Sequence, residues 1–420
     1  MSVQPTKSNG RAFGTAGPAA ALLAALRGWL EVLRRRDYVD ILIVVVALVL
    51  SMVIRYDLLN FRSVDFLKYT ADWYHAIKSG GHSAFSQSFS NYNVPYLYLL
   101  YLVIRLTPDL PALIATKVPS LVADFVMAWL AYRIIRLKYG DRTIPVLAAF
   151  ALLFAPTVVL NSAFWGQADA LYTAALLGCL YCLLIRKEGL ALALLGVAIA
   201  FKAQGVFLLP LPVALALRRE LRWRHFLLVP AIMLLSLVPA WAAGRPLMDL
   251  LMIYPSQAGQ YDQLSMHAPS VLSWIPDTGK LYPFFYPVGL VSAAAVTFCY
   301  LLLVWRSRAK IAPVLLVELA TVSLMLLPFF LPKMHERYFY PADVFTILLA
   351  FYRPRLYYVP IGMTMVSFFA YQPTLFGVEP VPIPVLALGV LVLLVLLIRD
   401  SMRILFPSAP VNPDEVELGT

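Results

Sequence analysis

The sequence predicts an all-α integral membrane protein, a polytopic helical bundle of about 12 transmembrane helices with a large first external loop carrying juxtamembrane helices. Three observations predict it. Of the 420 residues, 61% are hydrophobic and only 14% charged, and mean hydropathy is +0.77. Soluble domains run near half apolar and about a quarter charged. The net charge is +11, but its Lys and Arg sit in short clusters between apolar runs. That is the positive-inside pattern of membrane proteins rather than a nucleic-acid surface.

Residues 1–37 read as a cytoplasmic tail. Small and polar residues, with Gly and Pro, leave 1–18 disordered, and 19–36 forms a basic amphipathic helix on the membrane surface. A cleavable signal peptide is the competing reading. The apolar span 38–56 directly after Arg34-Arg35-Arg36 favours a retained first helix with its start in the cytoplasm. The segment 57–117 is then the first external loop. It is too aromatic for disorder, with Asp72-Trp73-Tyr74-His75 and Asn91-Tyr92-Asn93-Val94-Pro95, and folds against the membrane surface. Within it 96–106 is apolar but short of the ~20 residues a span needs, so it lies in the interface.

Spans follow near 118–136, 144–160, 170–186, 189–203, 204–217, 225–242, 282–305, 311–330, 340–352, 356–374 and 382–399. This assignment puts most later Lys and Arg in the cytoplasm; letting 96–106 cross inverts the ratio. Region 189–217 holds two short passes between Arg186-Lys187 and Arg218-Arg219, turning near Phe201-Lys202-Ala203-Gln204-Gly205. Broken helices of this kind are tolerated where backbone lines a cavity. An external loop covers 243–281, the membrane domain ends near 400, and 401–420 is a Pro-rich, then acidic cytoplasmic tail.

Cys179 and Cys182 have C-x-x-C spacing but lie in a membrane helix, and no His or Cys partners cluster nearby, so neither zinc nor redox chemistry follows. Every unusual polar cluster falls on the external side: the 57–117 loop, the Trp165-Gly166-Gln167-Ala168-Asp169 turn, the Lys202 turn, the 243–281 loop, and Lys333-Met334-His335-Glu336-Arg337-Tyr338-Phe339-Tyr340-Pro341. Interfacial anchoring accounts for the tyrosines of the last motif but not for its His-Glu-Arg triplet. Such segregation suits an enzyme at one membrane–water boundary. A transporter needs polar groups near the midplane with access from both sides.

The order of these motifs resembles bacterial mannosyltransferases related to GPI mannosyltransferase II, within the GT-C class of lipid-phosphate-sugar glycosyltransferases. The motifs are an Asp in the first loop, Asn-Tyr-x-x-Pro, Trp-Gly-Gln-x-Asp (165–169), Lys-x-Gln (202–204) and His-Glu-Arg-Tyr-Phe (335–339). The resemblance spans about residues 38–400 and implies a GT-C-like fold. More loosely, the glucosyltransferases of N-glycan assembly carry a similar set, with Lys where Arg337 stands.

The resemblance implies a polyprenyl- or dolichyl-phosphate-linked hexose as donor and a glycan, glycolipid or protein as acceptor, with membrane lipid around it. It places the enzyme in the bacterial cytoplasmic membrane with its site facing the periplasm. Transfer needs a base for the acceptor hydroxyl and positive charge for the departing phosphate. Asp65 matches the family's first-loop Asp and is the candidate base; helix capping is its competing role, and Asp72 is a rival base. Lys333, His335, Arg337 and Lys202 are candidate phosphate donors. Asp72, Trp73, Asn91, Tyr92, Trp165, Gln167, Asp169, Gln204 and Glu336 are candidates for sugar or acceptor contact. Capping of the helix at 170–186 competes for the Trp165–Asp169 turn. No cofactor is implied: a divalent metal is compatible with the class, but a single first-loop Asp replaces the Asp-x-Asp pair that would hold it. His267 reads as a hydrogen-bonded loop residue. A flippase for lipid-linked sugars and a non-catalytic subunit of a glycan-assembly complex are the alternative functions.

Overall fold

The computed structural model describes residues 37–260, 262–276 and 279–407. The amphipathic helix expected at 19–36 and the acidic tail beyond 407 lie outside them. Fourteen longer helices are labelled here: α1 Asp37–Leu58, α2 Ala71–Gly80, α3 Val94–Leu106, α4 Val118–Arg136, α5 Thr143–Leu153, α6 Asp169–Leu184, α7 Glu188–Phe201, α8 Pro210–Leu217, α9 Leu228–Ala242, α10 Tyr282–Arg306, α11 Pro313–Phe330, α12 Tyr340–Tyr352, α13 Tyr358–Phe376 and α14 Ile383–Leu405. The chain divides into two compact units at Val53/Ile54, inside α1, and everything below belongs to the unit from Ile54 onward.

Two layers of helices make that unit. In one, α4 packs on α5 and α6, and α7 on α6 and α9; in the other, α11 packs on α10, α12 and α14, and α13 on α12 and α14. Helix α12 joins them by contacting α5 and α6. Small residues let α6 approach closely, and nearly every one of its side chains is buried. Among the described residues, 6 helices are individually long and apolar enough to cross a membrane, or 7 with the bent α5 pair. Expected spans at α6, α7 and α12 are helices of 16, 14 and 13 residues, shorter than the ~20 a straight crossing requires. The segment 57–94 is folded, into a π turn (Phe66–Thr70), α2 and a 3-10 turn (Gly81–Ser86).

Two breaks position the site. At the first, Pro156 forces Ala155 out of the helical region (φ −59°, ψ 124°), and the chain resumes as Pro156–Trp165, bent by 51°. Arg55 Nη2 donates to the Leu153 carbonyl at 3.0 Å beside this break. The same guanidinium pairs with Asp124 at 2.9 Å, and Ser162 donates to that carboxylate at 2.5 Å. Buried carboxylates of this kind are strongly destabilising to remove when a buried cation faces them. Asp124→Ala is expected to cost roughly 3 kcal/mol, read as a lower thermal unfolding midpoint in detergent; an unchanged midpoint would contradict the assignment.

The second break is the expected one between α7 and α8. Lys202 is extended (φ −155°, ψ 135°), and a 3-10 turn follows over Ala203–Leu208. A Cβ on Gly205 would stand 2.7 Å from Ala198 C and Ile199 N, so only glycine lets the turn fold back on α7. The 243–281 loop adds a two-residue strand β1 (Ser265–Met266) that pairs in parallel with β2 (Met334–His335). That pairing joins the loop to the Lys333–Pro341 motif, a long-range contact that apolar periodicity does not signal.

Candidate active site

The site is assembled from three separate turns. Asp65 opens the π turn of the first loop. Its Oδ2 accepts Trp165 Nε1–H at 2.8 Å and Gln167 Nε2–H at 2.6 Å. Trp165 ends the π-helical stretch Leu160–Trp165, which closes at Gly166 in the left-handed region (φ 80°), and Gln167 follows directly. Asp65 makes no side-chain cap bond, so its competing role as a helix cap is not realised. The Tyr92 hydroxyl donates to Gln167 Oε1 at 3.3 Å, and burial holds that phenol well above its ordinary range.

Asp169, at the start of α6, makes no cap bond either. Its carboxylate is fully buried, bonded to the Lys202 ammonium and accepting Asn161 Nδ2–H at 3.0 Å. Arg337 Nε stands 3.9 Å from the same carboxylate. From the opposite side Arg337 Nη1 donates to Glu336 Oε1 at 3.2 Å. Aromatic faces flank the cations: Arg337 lies 5.4 Å from the Trp165 ring, and Lys202 lies 5.3 Å from that of Tyr338.

Asp65, Tyr92, Trp165, Gln167, Asp169, Lys202, Glu336 and Arg337 are thus brought into one connected cluster, although they span more than 270 positions of sequence. Arg337 Nε is buried beyond hydrogen-bond distance of any partner, its nearest carboxylate being that of Asp169. Burial opposes charge on Arg337, but Glu336 and Asp65 hold its pKa well above the usual value. Glu336 is likewise kept below its ordinary range, against burial, by His335 and Arg337. Burial and the charge of Arg337 push the His335 imidazole down, favouring its neutral form. As a neutral donor it offers a phosphate about 1 kcal/mol, where a charged group offers about 2. His335→Gln is therefore expected to change the donor KM by no more than about 5-fold, measured by donor titration; a larger rise would show a cationic ring.

Other expected site residues are placed elsewhere. Trp73 is 3% exposed, with its ring centroid 4.8 Å from Tyr92 and 6.2 Å from Tyr96. It braces Tyr92 from behind rather than standing open at the cluster. Asp72 is exposed on α2. The Lys333 ammonium donates to the Ala258 carbonyl at 2.8 Å and lies over Tyr282 and Tyr286, so it ties down the 243–281 loop instead of joining the cluster. Asn91 accepts Gln257 Nε2–H at its carbonyl, and its side-chain Oδ1 is buried without a partner. Gln204 sits half-buried in the 3-10 turn, with no described bond to the cluster. Within the motifs, Asn93 was not singled out; its Nδ2 donates to the Ala200 carbonyl at 2.8 Å and anchors the approach to Lys202. His267 faces Thr374 across 3.4 Å, a loop contact as expected. Among the described residues no three His, Cys, Asp or Glu side chains are grouped to hold a metal.

No protein-family model matches the chain, and no curated protein matches it by sequence. Its fold does match solved structures. ArnT from Cupriavidus metallidurans bound to undecaprenyl phosphate aligns with a TM-score of 0.52 and 15% identity, covering 86% of this chain and 77% of that one. The apo state of the same ArnT aligns with a TM-score of 0.51 and 15% identity over 90% and 78% of the two chains. The all-α, polytopic chain described here therefore shares the membrane fold of ArnT.

Proposed function

We propose that this protein is an integral membrane glycosyltransferase that moves a hexose from a polyprenyl-phosphate donor to an acceptor hydroxyl, with inversion at the anomeric carbon. The observation that carries this reading is Asp65. Its Oδ2 is held by Trp165 and Gln167, its Oδ1 has no described partner, and the Arg337–Lys202 cations lie in the same cluster. In the proposed step the acceptor oxygen attacks the anomeric carbon and its proton passes to Asp65 Oδ1. The bond from that carbon to the phosphate oxygen breaks, and the lipid phosphate leaves towards Arg337. An undecaprenyl phosphate in the ArnT structure supports a lipid-phosphate donor. The motif resemblance supports mannose as the sugar, an acceptor on a glycan, glycolipid or protein, and a site on the periplasmic face of a bacterial inner membrane.

The test is transfer in proteoliposomes from mannosyl, glucosyl and other polyprenyl-phosphate sugars. Turnover fastest with the mannosyl donor is expected. If labelled donor crosses the bilayer and no sugar is transferred, the flippase reading replaces this one. Sidedness has its own check. In a Cys299→Ala background, which removes the exposed native thiol, a cysteine at exposed His75 should react from outside and one at exposed Arg219 from inside. The reverse result would overturn the orientation.

A further inference from the structure

Lys117 is a buried cation near this cluster that the proposed reaction does not use. It is 1% exposed, at the entry to α4. Its ammonium donates to three backbone carbonyls: Leu59 at 2.8 Å, Phe61 at 2.9 Å and Phe164 at 2.9 Å. An ammonium has three N–H donors and no acceptor, so these three carbonyls match its full capacity. Two of them lie shortly before Asp65 in the first loop. The third is the residue before Trp165.

The neighbouring contacts aim the same way. One turn along α4, Ser120 donates to the Gln167 carbonyl at 2.5 Å, so Lys117 and Ser120, three residues apart on one helix face, hold the two ends of the turn that carries Trp165. Ser63 closes it from the first loop by donating to the Trp165 carbonyl at 2.9 Å. Gly166, between the two donors, lies directly on the lysine stem: a Cβ there would stand 3.1 Å from Lys117 Cγ, at a φ of +80°.

We infer that Lys117 is a positioning residue: by binding the Leu59, Phe61 and Phe164 carbonyls together, it holds the Asp65 carboxylate under the Trp165 and Gln167 donors. The assignment rests on Asp65 being the base for its kinetic consequence, but not for its structural one. A displacement of reacting groups by about 1 Å can lower turnover on the order of 100-fold. Lys117→Met keeps the stem and removes the ammonium.

The experiment reads the indole N–H resonance of Trp165 in the full-length protein without donor, assigned by its loss in Trp165→Phe. In Lys117→Met it should move towards the position it takes in Asp65→Ala, where the hydrogen-bond partner is gone. Gly166→Ala, which presses on the intact Lys117 stem, should move it in the same direction and serves if Lys117→Met does not fold. A resonance unchanged in either variant overturns the inference. Simple loss of stability would lower the unfolding midpoint without moving that resonance. In the transfer assay, the matching result is a kcat lower by on the order of 100-fold with donor KM changed less than about 3-fold. Since the resonance needs no substrate, absence of sugar transfer by the wild type would defeat the proposed reaction and leave the role of Lys117 to be judged on the indole signal alone.

Discussion

Asp65→Asn should abolish sugar transfer, by about 1,000-fold, while the protein still folds and still binds donor. The substitution is nearly isosteric, and the fold of the site depends on only one oxygen of the native carboxylate. Asp65 Oδ2 accepts from Trp165 at 2.8 Å and from Gln167 at 2.6 Å. The amide oxygen of Asn can take both of those bonds. Its NH₂ then falls where Oδ1 stands, the position from which a proton would be accepted from the acceptor hydroxyl. A donor replaces an acceptor at the one place where acceptance matters. Single-turnover transfer with radiolabelled donor separates the outcomes: retained binding with no transfer supports the base assignment. Normal turnover in Asp65→Asn together with a dead Asp72→Asn would move the base to Asp72, although Asp72 is exposed on α2 outside the cluster.

Much of this arrangement is legible in the sequence because ionisable and amide side chains are costly beside apolar runs. Lys202 interrupts such a run, and the structure places it at the break between α7 and α8. Trp165, Gln167 and Asp169 stand out for the same reason, and all three enter the cluster. Trp73 misleads because composition distinguishes a buried aromatic poorly from one that faces a ligand; only its contacts with Tyr92 and Tyr96 decide. Lys333 misleads differently. Its positive φ of 60° turns the chain just before β2, and its ammonium goes to the Ala258 carbonyl. Proximity in sequence to Arg337 does not carry over to the side chain.

Lys117 and the Arg55–Asp124 pair are invisible for a third reason. Lys117 and Arg55 each look like an ordinary charge near the end of a span, where anchoring is the default expectation. Their importance lies in partners far away along the chain: carbonyls at Leu59 and Phe164 for Lys117, the Leu153 carbonyl and Ser162 for the ion pair. Periodicity reports which face of a helix is apolar but says nothing about which backbone carbonyl a break leaves available. The break at Pro156 falls inside the continuous span expected at 144–160, and neither it nor what satisfies it is signalled by the apolar run.

Arg337→Ala carries the second large expectation, a fall in transfer on the order of 100-fold with a raised donor KM. Two effects contribute, and they can be separated. Removing the guanidinium takes away the cation expected to meet the lipid phosphate. It also leaves Glu336, 1% exposed, without the cation 3.2 Å away, and leaving a buried carboxylate uncompensated is destabilising by itself. Arg337→Lys keeps the charge but loses the planar fork, so it should recover stability more fully than donor affinity. Arg337→Ala with Glu336→Gln removes the buried charge problem while leaving the phosphate contact absent. If that double variant regains the wild-type unfolding midpoint but not the donor KM, Arg337 acts on the phosphate. Should it regain both, the arginine serves only to neutralise Glu336, and the cation facing the departing phosphate must be Lys202, whose ammonium is bonded to Asp169 in the same cluster.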